Sequence, residues 1–190
     1  MAIRVKEGIS KRFPVLESPR LRLRKITEED CKDLYQYMTN PLVRRNTSFE
    51  PQTMLFPARL FRYFRACYES LENLHFAIEL KKSNKMIGVC SLQYWDQLKG
   101  KAMLGYLLSP ACWRQGYATE AARSLITFGF ETLELDRIEA RCAGDNPASE
   151  RVLQKCGMKY VKAIPIRSRE RGNVETAQKL YAVNREEIAK

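Results

Sequence analysis

No stretch constrains the fold more than Gly105 to Ala121, which reads Gly-Tyr-Leu-Leu-Ser-Pro-Ala-Cys-Trp-Arg-Gln-Gly-Tyr-Ala-Thr-Glu-Ala. The apolar run ending at Leu108 meets Ser109-Pro110 and must leave strand geometry there, because proline has no N–H to continue a ladder. A turn holding Gly116 and Ala118 follows. Ala118, Ala121, Ala122, Leu125, Ile126 and Phe130 then recur at helical spacing from about Gln115 to Leu133. The unpaired N–H groups of such a helix start carry partial positive charge, Gly116 and Ala118 put no bulk over them, and Arg114 adds a full charge beside them. They can cradle a diphosphate. Taken alone, the same residues also fit an ordinary strand-to-helix turn. A dinucleotide fingerprint fits poorly: only Gly116 matches a glycine of G-x-G-x-x-G, and this strand follows other strands where a Rossmann unit would open the fold.

The flanks predict a mixed α/β chain. Leu21 and Leu23 alternate with Arg22 and Arg24 in a first strand, Leu21 to Ile26. Thr27 is expected to cap the next helix, with Asp30 reaching back to it and Cys31, Leu34, Tyr35 and Met38 on one face. Asn40-Pro41 ends that helix, and a second runs from about Pro57 to Leu71. Three strands, roughly His75 to Leu80, Met86 to Trp95 and Lys101 to Leu108, form an antiparallel meander across polar turns. After the central helix come a strand, Arg137 to Cys142, and a short helix opened by Asn146-Pro147 and stopped at Gly157. Two last strands, about Met158 to Ile166 and Ala177 to Val183, flank a basic loop, Arg167 to Arg171.

At 190 residues, with no repeat and no linker-like shift in composition, the chain is expected to form one domain over 1–190 with a core at about 18–184. A hydrophobic fraction of 45% with 29% charged residues excludes the disordered and collagen-like classes. No apolar run approaches the roughly eighteen residues of a spanning helix, and the segment Met1 to Gly8 lacks the apolar block of a secretory signal. A cytoplasmic protein without membrane contact is expected. The six cysteines stand singly and His75 is the one histidine, which removes the usual zinc spacings, so no metal is expected and the thiols read as reduced core residues. Thirty-three basic against 22 acidic residues leave a net charge of +11, which attracts polyanions: nucleic acid, a phosphorylated cofactor or an acidic protein.

The strand Gly105-Tyr106, the loop Trp113 to Ala121, and Asn146-Pro147-Ala148-Ser149 leading to Leu153-Gln154-Lys155-Cys156-Gly157-Met158 stand in an order that resembles the GNAT superfamily of acyl-CoA N-acyltransferases. Within it the chain resembles the Rim-type ribosomal-protein N-terminal acetyltransferases, from Ser18-Pro19-Arg20-Leu21 to about Asn184. The resemblance implies a single α/β (α+β mixed) domain on a mostly antiparallel sheet of about six to seven strands, flanked by about four helices and splayed between strands 101–108 and 137–142. It implies acetyl-CoA as acetyl donor, its diphosphate on the amides of Arg114, Gln115, Gly116, Tyr117, Ala118 and Thr119, and its pantetheine arm lying as a pseudo-strand along Leu107 and Leu108. Trp113 matches the Rim-type variant of a position that holds Gln or Arg in wider relatives.

Of the catalytic groups, the resemblance implies Ser149 as the donor of a proton to the departing thiolate, since the position of the tyrosine acid of many relatives is Leu153. Asn146 would bind the cofactor or a water beside it. Asn146 as a plain helix cap and Ser149 as a first-turn polar residue stay open as structural readings. The glutamate that relatives carry two residues before the glycine is Met103, which takes no proton. A regular hairpin would set Tyr94 opposite Met103, with Glu79 on the next strand; either could relay a proton through water or be merely structural. An α-amine with a pKa near 8 is partly neutral at pH 7 without help. Cys112 and Cys142 lack the histidine a covalent acyl-cysteine needs, so direct attack is expected. The acceptor is expected to be a protein N-terminal amine, of a ribosomal protein in the Rim-type case; a small amine such as a polyamine, and a non-enzymatic RNA-associated role, remain alternatives. The basic clusters at Arg20 to Lys25, Arg44-Arg45 and Arg167 to Arg171 suit an encounter with the ribosome, yet they lack the interleaved aromatics of a direct nucleic-acid reader.

Overall fold

Alternation along the first long strand sets the sheet. Leu21 and Leu23 are fully buried between the half-exposed Arg22 and Arg24 in β2 (Leu21–Lys25), which pairs with the two-residue β1 (Leu16–Glu17) on one side and β3 (Leu74–Leu80) on the other. The computed structural model describes residues 2–45, 56–166 and 176–188. β4 (Lys85–Asp96) and β5 (Lys101–Leu108) complete the antiparallel meander, and β6 (Arg137–Ala143), β7 (Lys159–Ile166) and β8 (Thr176–Asn184) extend it. The eight strands run in the order β1-β2-β3-β4-β5-β6-β8-β7. Every pairing is antiparallel except β5 with β6.

Helices cover both faces. On one, α5 (Tyr117–Glu131) and α6 (Pro147–Lys155) close a core that includes Leu92, Leu104, Leu125 and Ile138. On the other, α2 (Asp30–Thr39) and α4 (Pro57–Ser70) pack Leu34, Leu60 and Phe64 against Ala77 and Val89. Three short helices were not legible as such: α1 (Ala2–Lys11), whose Ile9 joins the first core, α3 (Pro41–Arg44) and α7 (Arg185–Ile188). The described chain therefore has eight strands and seven α-helices against the expected six to seven and four. No helix among the described residues is long and apolar enough to cross a membrane.

The cap of α2 differs from expectation. Asp30 does reach back to the Thr27 N–H (2.8 Å), but the Thr27 hydroxyl donates to the same carboxylate (3.1 Å) and accepts no amide. Arg24 holds that carboxylate with two bonds of 2.6 and 2.8 Å, and a charged oxygen is the stronger partner for the hydroxyl.

One close approach keeps the central strands in register. A Cβ at Gly88 would sit 2.2 Å from the Leu107 carbonyl oxygen of β5, a backbone atom that cannot step aside. Gly88→Ala is therefore expected to destabilise the domain by about 2–3 kcal/mol, the range of overpacked interior sites. Urea unfolding measures it; an unshifted midpoint would show that β4 and β5 tolerate separation here.

Candidate acyl-transfer site

The site begins where two strands part. β5 and β6 pair from Lys101↔Arg137 to Leu104↔Ala140 and no further, while β5 stays bonded to β4 as far as Leu108↔Gly88. The Ser109 N–H donates to the Ile87 carbonyl at 2.8 Å, so the alternation of an antiparallel ladder turns the backbone of Leu107 toward β4 and that of Tyr106 and Leu108 toward the gap. Of the two leucines singled out by sequence, Leu108 thus offers its main chain to the gap, while Leu107 lines the cleft below. The Leu108 carbonyl already accepts the Trp113 indole N–H at 2.9 Å, which gives that tryptophan a structural task in holding the loop against the strand end.

The start of α5 sits directly beyond. Gly116 has φ +82°, a left-handed conformation that glycine adopts without cost, and is the N-cap. The Glu120 N–H makes a helical bond to the Gly116 carbonyl (3.0 Å), so the N–H groups of Tyr117, Ala118 and Thr119 precede any intrahelical acceptor. Arg114 is exposed, also at positive φ, and the Gln115 side chain turns back to the Ala111 carbonyl (3.0 Å). A clamp that spacing could not reveal holds this loop. Arg20 donates to the Gln115 carbonyl (2.9 Å), stacks over the Tyr117 ring (4.5 Å) and pairs with Glu120 (2.6 Å), which also accepts from Ser18 (2.7 Å). Burial would raise the Glu120 pKa, but the bonds from Arg20 and Ser18 outweigh it and hold the carboxyl below its ordinary value. Arg20 and Glu120 lie a hundred residues apart, so no local pattern links them.

At the open end of the gap, Asn146 caps α6 by accepting the Ser149 N–H at 3.1 Å, as its place before Pro147 predicts. Ser149 Oγ lies 2.7 Å from Tyr106 Oη. Sequence named Tyr106 only within the Gly105-Tyr106 strand and gave it no role; its period-two phase with Leu104 and Leu108, on the face covered by α5 and α6, is the signal that points to it. Burial pushes its phenol pKa up. Leu153 is 1% exposed in the core and offers nothing to the gap. Leu107, Tyr106, Asn146 and Ser149 line one cleft of about 1450 Å³, whereas Leu108 and residues 114–119 lie outside its lining.

The cleft floor corrects two expectations about a base. The β4–β5 register shifts between Gln93 and Asp96, so Gln93 stands opposite Met103, and Tyr94, at φ +52° and 71% exposed, lines the cleft from the bulge. Glu79 is buried in ion pairs to Arg22 (2.9 Å) and Arg24 (2.6 Å) and does not line the cleft. His75 does line it, 3% exposed, opposite Ser91 in the β3–β4 register and 3.4 Å from the Tyr63 hydroxyl; burial pushes its ring down to about 4, so it is neutral at pH 7. Ser91 is joined to Gln93 at 3.0 Å. All six cysteines are free thiols, and burial raises the pKa of both Cys112 and Cys142. Among the described residues no cluster could hold a metal ion.

A mixed sheet that splays after Leu104, with a glycine-capped helix start beyond one strand end and a hydroxyl pair at the other side of the gap, is the arrangement that the resemblance to acyl-CoA-dependent acyltransferases implies. Residues 20–159 match the acetyltransferase (GNAT) domain, and the chain belongs to that family, the N-acetyltransferases that use acetyl-CoA. It is 33% identical over 146 residues to the uncharacterized N-acetyltransferase YoaA of Bacillus subtilis (strain 168), covering 76% of this chain and 82% of the relative. Among solved structures it resembles the ribosomal L7/L12 α-N-protein acetyltransferase RimL in complex with coenzyme A (TM-score 0.77, 19% identity, 90% of this chain and 98% of that one). It resembles equally the spermidine N-acetyltransferase of Vibrio cholerae in complex with CoA and spermine (TM-score 0.77, 15% identity, 91% and 100%). At these identities the two share a fold with the chain, and the fold does not choose between their acceptors.

Proposed function

We propose that this protein, a single domain spanning 1–190 and working in the cytoplasm, acetylates the free α-amine of a polypeptide, the ribosomal-protein type of acceptor, by direct attack of the amine on acetyl-CoA. The Ser149–Tyr106 contact of 2.7 Å at the splay, with Leu153 buried where other relatives place a tyrosine acid, supports the transfer step, and the observation that carries the choice of an α-amine is the arginine-rich lining of the cleft. Acetyl-CoA supplies the activated thioester. The amides of Arg114 to Thr119, with the Arg114 charge, hold the diphosphate, and the gap-facing main chain of Tyr106 and Leu108 holds the pantetheine arm. Asn146 keeps Ser149 in the first turn of α6. Ser149 gives its hydroxyl proton to the departing sulfur and takes up in return the proton that the amine nitrogen loses as the amide forms. Tyr106, kept protonated by its raised pKa, donates to the Ser149 carbonyl (3.2 Å) and lies 2.7 Å from Ser149 Oγ, which fixes the serine hydroxyl at the gap.

The one carboxylate in the described lining, Asp145, lies 3.4 Å from Arg45, and no dedicated base is required. An α-amine with a pKa of about 8 is partly neutral at pH 7, and the arginines Arg44, Arg45 and Arg141 around the cleft favour the neutral form further. A lysine side chain, with a pKa of about 10.4, would be protonated in that setting. The test is a comparison of acetyl transfer to free-α-amine peptides, the same peptides blocked at the α-amine but carrying lysine, spermidine, and single amino acids. Highest kcat/KM on the free α-amine peptides supports the reading; higher efficiency on spermidine or on lysine side chains overturns it.

A further inference from the structure

Among the described residues, the charge around the cleft is unbalanced. Its charged lining among the described residues is Arg44 at the end of α3, the following Arg45, Arg141 on β6, and Asp145 before α6. Asp145 reaches Arg45 at 3.4 Å, and Arg44 and Arg141 have no ion pair among the described residues. Carboxylates on neighbouring elements are committed elsewhere: Glu139 to Arg137 (2.8 Å), Glu150 to Lys179 (2.8 Å), and Glu79 to Arg22 and Arg24. The floor between them is polar and uncharged, with Ser91, Gln93 and neutral His75.

We infer that the acceptor carries its own negative charge: the polypeptide whose α-amine enters this cleft has acidic residues close behind its N-terminus, and these meet Arg44 and Arg141 at the cleft walls. The inference rests on the α-amine reading above and adds the class of sequence. A guanidinium binds a carboxylate through paired N–H donors, and two arginines of one cleft lining, neither in an ion pair among the described residues, give an extended acidic segment two such partners. A polyamine brings further ammonium groups to two arginines that have no ion pair among the described residues, and the described lining offers it one carboxylate, Asp145, already 3.4 Å from Arg45.

The experiment uses the full chain with acetyl-CoA and pairs of free-α-amine peptides that differ only in the residues after the first, acidic in one and basic in the other, together with free glutamate as a small anionic amine. The expected result is a kcat/KM about tenfold or more higher for the acidic peptide at low salt, expressed in KM and shrinking as ionic strength rises. Arg44→Glu combined with Arg141→Glu should invert the ranking. Equal kcat/KM for the two peptides at low salt, or a ranking that a folded double variant leaves unchanged, overturns the inference while leaving the α-amine reading in place. Glutamate acetylated in preference to both peptides, or no transfer to any peptide, overturns both.

Discussion

Replacing Gly116 with valine weakens acetyl-CoA binding by about 100-fold or more and leaves the domain folded. A β-branched residue is a steric outlier at the φ of +82° found here, so the turn must rearrange. The added Cβ also stands 3.3 Å from the Arg20 guanidinium, the group that fixes the loop through Gln115 and Glu120. Both effects move the free N–H groups of Tyr117 to Thr119. Losing two hydrogen bonds to a charged diphosphate, at about 1.5–3 kcal/mol each, accounts for the loss. Calorimetric titration measures it, with circular dichroism as the check on folding. An unchanged Kd in a folded Gly116→Val protein would mean that the diphosphate binds elsewhere.

Ser149→Ala is expected to lower kcat by about 10- to 10⁴-fold while the affinity for acetyl-CoA and the melting temperature stay close to wild type, because the proton moves only as the thiolate departs. Tyr106→Phe removes one hydroxyl next to it and should lower kcat by about tenfold through Ser149 alone. The double variant is then no slower than Ser149→Ala by itself, a non-additivity that two residues contributing independently would not show. Steady-state kinetics on a free-α-amine peptide reads all three. A Ser149→Ala enzyme running at wild-type rate removes the proton-donor role, and additive losses remove the coupling.

The parts of this site that were legible in sequence are those whose physics is local. Gly116 before an alanine-faced helix, and Asn146-Pro147 before another, mark helix starts because capping and left-handed turns depend on a few consecutive residues. The alternation in β2 and the long apolar face of α5 were readable for the same reason. What escaped was non-local. The bulge between Gln93 and Asp96 places Gln93, not Tyr94, opposite Met103, and an irregular register leaves no periodic trace. The Arg20–Glu120 clamp and the Tyr106–Ser149 contact join residues brought together only by the sheet order. Glu79 looked like a free carboxylate because its partners, Arg22 and Arg24, face it across β2 and β3. The basic loop Arg167 to Arg171 lies outside the described residues.

Direct transfer from acetyl-CoA to an amine is the centre of this account, and a single-turnover experiment followed by intact-mass spectrometry tests it most directly. Enzyme in excess over acetyl-CoA is held without acceptor, sampled, and then mixed with a free-α-amine peptide. Cys142 lines the cleft, but burial, with the Glu150 carboxylate nearby, raises its pKa, so the thiol stays protonated. The account predicts unmodified enzyme before mixing, then acetyl on the peptide α-amine with matching release of free CoA. Stoichiometric acetyl on the enzyme before mixing, chased onto the peptide afterwards, would contradict it.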